Sequence, residues 1–298
     1  MLSWPDLGTR VTVRYRRPPG SVPPLTDAVG HLLQIDPVVR VRTKTGAVVQ
    51  FASADAVALR VLTDAPVRTS QIRALEHAAA LAWPGVEQCW LDGWLLRTGH
   101  GVTLAANSAV PLDVSADASA IPAIVDWYRE RGLTPRLAIP ERLLRLPIAG
   151  EHPRRMLVRD ADGTELDPSV SLAACPDDEW LRFYDRPVPV DVLTAVLDGE
   201  LAFGRYADEA VGRAAVTDAP DGTRWVGLSA LRIVSGRHAS ALCEALLSWG
   251  ASRGATRGYI RLSDEMTLAG SVIESLGFTL HHRSRYVIAQ PRLWSGHE

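Results

Sequence analysis

Between residues 201 and 288 the residue pattern changes period in a fixed order, and that order limits the fold more than any other feature of the chain. Residues 201–206, 210–217 and 224–234 read as three consecutive strands. Asp218-Ala219-Pro220-Asp221-Gly222 supplies the turn between the last two. A helical period follows over 237–253, where Ala241, Leu242, Ala245, Leu246 and Trp249 recur at helical spacing and Gly254 ends the run. Residues 257–262 read as a strand and 268–275 as a helix, and Leu276-Gly277-Phe278 opens a closing β-segment to 288. Strand–strand–strand, long helix, strand, helix, strand is an α/β (α+β) order.

The whole chain is too long for one compact core at 298 residues, which predicts two or three domains. Its formal net charge of −2 gives no reason to expect nucleic acid or an anionic membrane as partner. No apolar run reaches the ~18 residues that a bilayer span requires. Cys89, Cys175 and Cys243 are too far apart for a zinc or disulfide pattern and read as thiols in a reducing compartment. No metal site is expected, and the chain reads as cytoplasmic.

Residues 1–67 read as a small SH3-like β-barrel: five short strands, a long Pro/Gly loop at 18–24, and one helical turn at 53–56. Residues 68–175 form a second block. Thr69 or Ser70 caps a helix that ends at Trp83-Pro84-Gly85. A hairpin is expected over 89–110 with its turn at Gly99-His100-Gly101. A helix over 121–131, a strand at 137–140, a helical turn at 141–146 and a strand at 156–158 complete the block. In the third block, 176–298, helices at 177–179 onward and at 190–197 precede the strands described above.

The order over roughly 176–290 resembles the GNAT superfamily of N-acetyltransferases. So do Gly254-Ala255-Thr256, the strand Tyr259-Ile260-Arg261-Leu262, and Ile273-Glu274-Ser275-Leu276-Gly277-Phe278. Trp83-Pro84-Gly85, Gly93-Trp94-Leu95-Leu96-Arg97 and Ala106-Asn107-Ser108 with Pro111-Leu112 resemble the opening half of an actinobacterial two-part GNAT group. That group also carries an N-terminal SH3-like barrel, and some of its members are associated with N-acetylglutamate synthesis. The resemblance implies a GNAT-type mixed sheet flanked by helices, preceded by a degenerate GNAT-like half on the acceptor side. It also implies acetyl-CoA as acyl donor, held between two splayed parallel strands. Leu231 and Ile233 would then lie on the splayed strand, and Ser235, Gly236, Arg237, His238, Ala239 and Ser240 would form the pyrophosphate turn. Backbone N–H groups at a helix start suit a phosphate pair. This turn departs from the family pattern, with Arg237 where a glycine belongs and Val234 where Arg or Gln belongs.

Acetyl transfer requires a neutral amine, a polarised thioester carbonyl and a stabilised leaving thiolate. Glu265, beside Asp264, is the candidate base. Ile273 stands where the family has its acid tyrosine, so Ser271, Tyr259, Tyr286 or water would substitute. Asn107 and Ser108 are candidates to line an acceptor pocket, or else to satisfy a turn. Arg97, Arg261, Arg283 and Arg285 could hold an acceptor carboxylate. His281 and His282, adjacent on a strand, are expected on opposite faces. Two functions fit these residues. One is an acetyl-CoA-dependent N-acetyltransferase acting on a primary amine, with a small molecule or an amino acid such as glutamate favoured over protein lysine. The other is a non-catalytic acyl-CoA-binding or scaffolding protein with a degenerate GNAT site.

Overall fold

In a computed structural model the structure describes residues 4–62, 67–163, 167–234, 236–263 and 268–289, with Gly236, Arg237, Leu268 and Ala269 described by backbone alone. The chain divides into two compact units, Met1–Pro66 and Val67–Glu298. The first is an antiparallel sheet of β1 (Arg10–Arg16), β2 (Leu25–Gln34), β3 (Val38–Thr43), β4 (Val48–Ala52) and β5 (Ala56–Val61), in the order β4-β3-β2-β1-β5. Its core follows the strand alternation: Val11, Val13, Leu32, Val39 and Val41 are fully buried, and Phe51 stacks on Tyr15 at 4.1 Å. Gly30 is required at the β2–β3 crossing, because a Cβ there would lie 1.9 Å from the Arg42 carbonyl oxygen.

The second unit begins with α1 (Thr69–Ala82), followed by β6 (Glu87–Leu91), β7 (Trp94–Thr98), β8 (Val110–Pro111) and α2 (Ile121–Glu130). Then come β9 (Arg136–Pro140), β10 (Glu151–Asp160), β11 (Val170–Ala173), α3 (Asp178–Tyr184) and α4 (Val190–Leu193). The last third supplies β12 (Glu200–Tyr206), β13 (Ala210–Asp218), β14 (Arg224–Ile233), α5 (Gly236–Ser252), β15 (Arg257–Ser263), α6 (Leu268–Ser275) and β16 (Thr279–Ile288). Eight strands form one mixed sheet, β11-β12-β13-β14-β15-β10-β16-β9, in which β14 and β15 are the parallel pair. β9, β10 and β11, from the block expected over 68–175, share this sheet with the strands of the block expected over 176–298.

The sheet is the middle of three layers. Leu242, Leu246 and Leu247 of α5 bury themselves against Ala214, Val226 and Ile260 on one face. Leu75, Ala78 and Ala82 of α1 meet Ala215, Trp225 and Tyr259 on the other. Farther along that face Trp180 and Tyr184 of α3 pack on Phe203 and Val211. Each fully buried Leu or Val contributes roughly 1.5–3 kcal/mol by leaving water.

Local departures from the sequence reading have definite causes. The hairpin turns at Asp92-Gly93, both at positive φ, so β6 and β7 end where a single strand was expected. Residues 102–109 form a loop, and only Val110–Pro111 pairs with β7. Residues 141–143 make a tight turn, with Arg142 at φ 70°, in place of the helical turn. The expected 190–197 helix stops at Leu193. The N-cap of α1 is Arg68, whose N–H donates to the Gln71 side chain at 2.9 Å, one or two residues before the expected cap.

The approach of α5 to the sheet is set by Gly250: a Cβ there would lie 2.4 Å from Val226 Cβ. Gly250→Ala gains about 1 kcal/mol of helix propensity. It also forces a methyl into a filled space, which costs about 2–3 kcal/mol at a site that cannot relax. The clash is with a strand residue that cannot swing away, so a net loss of about 1–2 kcal/mol is expected in chemical denaturation; an unchanged or raised midpoint would show that α5 can lift off β14.

Candidate functional site

β14 and β15 are paired in parallel only from Trp225↔Arg257 to Leu228↔Ile260. Beyond that point each turns to its outer neighbour. Ser229 pairs with Arg213 and Ile233 with Ala210 on β13, while Arg261 pairs with Met156 and Ser263 with Arg154 on β10. The strands therefore splay into a wedge. A bulge widens it: Ala230 and Leu231 stand opposite the single residue Gly212, and Ala230 adopts a left-handed φ of 49°. Such a backbone costs an L-residue roughly 1–2 kcal/mol.

The wedge opens into a cavity of about 410 Å³. Gly227 to Leu231 form one wall and Tyr259 to Ser263 the other, with Ala79, Ala82 and Trp83 from the end of α1 and Thr103 to Ala105 from the loop before β8. Tyr184, Arg186, Arg154, Arg213 and Tyr286 complete the lining. Gly227 must lack a side chain, because a Cβ would lie 2.2 Å from the Tyr259 ring. Burial pushes the Tyr259 and Tyr184 phenols up from their ordinary value, so both are neutral donors near pH 7.

Behind the Tyr259–Ser263 wall lies a buried charge cluster. Glu76 of α1 is 3% exposed; its Oε2 accepts from Arg261 Nη2 at 2.6 Å, and its Oε1 lies 2.8 Å from His282 Nε2. Burial alone would push this carboxyl up, but Arg261 and His282 outweigh burial and hold it at about 2. His282 Nδ1 in turn lies 2.7 Å from His281 Nδ1. The two histidines therefore do not point to opposite faces. The β10–β16 register slips between Met156↔His282 and Leu157↔Leu280, which places His281 in a bulge and turns its ring toward His282. Burial, followed by the His282 charge, pulls His281 down to about 4.

The residues expected to serve acetyl-CoA are distributed unevenly. Leu231 lines the cavity, while Ile233 sits past it at the end of β14. Ser235 and Glu265 lie outside the described residues. Gly236 and Arg237 open α5, and their backbone is all that is described. His238 has its Nδ1 against the Glu209 carboxylate and its ring stacked on Tyr206 at 4.5 Å. Ala239 is fully buried and Ser240 half-buried.

Asn107 and Ser108, expected to line an acceptor pocket or else to satisfy a turn, do not line the cavity. The Asn107 Oδ1 accepts from Gly99 N at 2.9 Å and Gly101 N at 2.8 Å, and its Nδ2 donates to Thr103 O at 2.7 Å. Ser108 Oγ accepts from the buried Arg97 at 3.3 Å. Both shape the loop whose residues 103–105 do line the cavity, which is the turn-satisfying alternative. Of the expected acids, Tyr259 and Tyr286 face the cavity, whereas Ser271 is exposed on α6 and Ile273 is core. Of the four expected arginines, Arg261 reaches the lining; Arg97, Arg283 and Arg285 do not. Sequence reasoning missed Arg154, Arg186, Arg213, Tyr184 and Glu76. Arg213 alone had a visible signal, as a charge inside the apolar run Ala210–Asp218.

Among the described residues no group of three or more His, Cys, Asp or Glu is placed to hold a metal ion, and no helix is long and apolar enough to cross a membrane.

Comparison with known proteins gives consistent matches. The family model described as the C-terminal part of "Probable histone acetyltransferase Rv0428c" matches residues 69–287, and that of its "N-terminal Sm-like domain" matches residues 5–60. The Mycobacterium tuberculosis protein of that name is 63% identical over 301 residues, covering 99% of each chain. Among solved structures, a GCN5-related N-acetyltransferase from Kribbella flavida aligns with 12% identity and a TM-score of 0.48, over 74% of this chain and 95% of its own. One from Sphaerobacter thermophilus aligns with 12% identity and a TM-score of 0.38, over 76% and 96%.

The folded Glu76 carboxyl lies below its ordinary 4.5, so the stability it brings is complete above about pH 4.5 and is lost as pH falls toward 2. Glu76→Gln is expected to lower the unfolding free energy by about 3 kcal/mol at pH 7, the gap to the parent closing between pH 4.5 and 2. Denaturation midpoints across that range test this; a gap that does not change with pH would mean that the carboxylate charge is not what binds the cluster.

Proposed function

The chain belongs to the Rv0428c family, GNAT-type acetyltransferases with a small N-terminal β-domain, and on that premise we propose that it transfers an acetyl group from acetyl-CoA to the primary amine of a small molecule bound in the β14–β15 cavity. The observation that carries this reading is the wedge. Past Leu228 and Ile260 two parallel strands lose each other as partners while keeping their outer ones. Backbone groups left unpaired on the inner edges suit a ligand with amides along its length. Bound acetyl-CoA would supply an activated acetyl thioester.

The chain's own groups then have separable tasks. The α5 N-terminus, at Gly236, offers backbone N–H donors for phosphates, the side that Ser235 to Ser240 are proposed to form. The backbone of Ala230 and Leu231 lies at the wedge, where a carbonyl oxygen gaining charge would be stabilised by an N–H donor. Tyr259 and Tyr286 present phenols to the cavity and are the candidates to donate to a departing thiolate, the role Ile273 cannot take. Arg154, Arg186, Arg213 and Arg261 all line the cavity, and no Asp or Glu does among the described residues. That field disfavours an ammonium ion and so favours the neutral amine that the reaction needs. The same cations repel a lysine-rich basic segment such as a histone tail beyond its one acceptor amine, which supports a small molecule in spite of the name carried by the mycobacterial relative.

Calorimetric titration of the full chain with acetyl-CoA, followed by thiol release on a panel of small amines and a histone-tail peptide, tests the reading. Micromolar binding and turnover on a small amine are expected, with Tyr259→Phe or Tyr286→Phe lowering kcat by at least ten-fold. Absence of acetyl-CoA binding, or turnover confined to the peptide, would overturn it.

A further inference from the structure

The small unit buries one face of its sheet, and the other face is strongly basic. Val11, Val13, Leu32, Val39 and Val41 are fully buried. By strand alternation Arg10, Arg14 and Arg16 of β1, His31 of β2, and Arg40 and Arg42 of β3 lie on the opposite side. The register joins these positions across the strands: Arg10 pairs with His31, His31 with Arg42, and Thr12 with Arg60 of β5. Directly opposed residues of antiparallel strands share a face, so Arg60 belongs to the same surface. Arg14, Arg16, His31, Arg42 and Arg60 are exposed, and Arg10 and Arg40 are half-buried.

Acidic residues barely offset this charge. Asp27 is the one acidic residue in the five strands, and Arg14 holds it through two bonds of 2.9 Å. Arg10, Arg16, Arg40, Arg42 and Arg60 stand on the face in addition to that pair. Residues 1–66 carry eight Arg or Lys against five Asp and no Glu, a formal charge of +3 within a chain whose total is −2. The whole-chain value therefore conceals a segregation of charge, and the local field is what an approaching partner meets. Like charges on neighbouring strands repel, and a polyanion laid across them removes that repulsion.

We propose that this arginine face binds the phosphate backbone of duplex nucleic acid without reading its sequence. From β3 to β5 the arginines span three strand spacings, about 14 Å along the sheet. That width is comparable with the ~12 Å major groove, which lies between two rows of phosphates. Guanidinium forks match phosphate oxygens in pairs. A single strand fits less well, because its bases need aromatic platforms. The two aromatic residues of the five strands, Tyr15 and Phe51, stack on each other and pack against the core. An anionic membrane also fits less well. The exposed apolar residues of this face, Leu25, Val29 and Val48, are dispersed among the arginines and offer no aromatic or continuous apolar surface to insert. The proposal concerns the small unit and is independent of what the larger unit acetylates.

The test is fluorescence anisotropy of the full chain with a labelled DNA duplex of about 20 base pairs, titrated at several salt concentrations from about 50 mM upward. Micromolar binding at the lowest salt is expected, equal for duplexes of unrelated sequence. Affinity should fall with salt at a log–log slope of about −3 to −4, as for three or four neutralised phosphates. Replacing both Arg42→Gln and Arg60→Gln is expected to weaken binding at least ten-fold and to reduce the slope by about two. Should that double variant fail to fold, Arg16→Gln at the exposed end of β1 is expected to weaken binding several-fold and to reduce the slope by about one. No binding of the duplex at the lowest salt, or a folded variant with the parent's slope, would overturn the proposal. So would tighter binding to a single strand of the same length, or to vesicles of phosphatidylserine and phosphatidylcholine.

Discussion

The parting of β14 from β15 after four paired residues is the constraint around which the larger unit is arranged. A strand that gives up a neighbour turns the N–H and C=O groups of that edge toward whatever fills the gap, because buried ones are rarely left unpaired. Here β13 and β10 continue to hold the outer edges, so the inner edges can separate without the sheet coming apart. The bulge at Ala230 serves the same end. The extra residue bends β14 away, and Gly212 opposite it leaves room for the displaced Leu231. The layers on either side follow: α5 seats on the paired half of β14 through Gly250, and α1 covers the other face with a run of alanines.

Charge is placed around this wedge in two different ways. Glu76 is satisfied by two partners from two strands, so α1, β15 and β16 are joined by one buried carboxylate. Such a cluster is worth little compared with a packed apolar core, but removing one member leaves the others stranded. Arg213 is the opposite case, held among the described residues only by neutral carbonyls and a hydroxyl. The first arrangement fixes a wall; the second leaves a field in the space that the wall encloses.

Much of this was legible in the sequence, for reasons that can be named. The last third could be read in order because α5 has an unbroken apolar stripe and because each strand ends at a turn rich in Gly, Pro or Asp. The small β-unit could be read from its two-residue alternation. What escaped was non-local. Asp92-Gly93 and Gly99-His100-Gly101 are both plausible turns, and only the pairing of Leu91 with Trp94 decides between them. Asn107 looks the same as a ligand-binding residue or as a loop clasp until Gly99 and Gly101 are seen to donate to it. His281 and His282 obey strand alternation except where a bulge cancels it, and bulges leave no mark in a single sequence. Arg213 was the exception: a lone charge in an apolar strand was in plain view, but its significance depends on the carbonyls of residues 82, 193 and 195.

The strand order has a consequence for how the chain can be divided. β15, one wall of the wedge, is paired on its far side to β10, which comes about a hundred residues earlier, and β16 lies between β10 and β9. The wedge is thus assembled from both ends of the larger unit. A fragment starting near residue 176 would keep β14 and α5 but would expose the outer edge of β15 and strip β16 of both neighbours. Unlike a tandem protein in which one half can be lost or exchanged, this unit inherits its ligand space as a single indivisible piece.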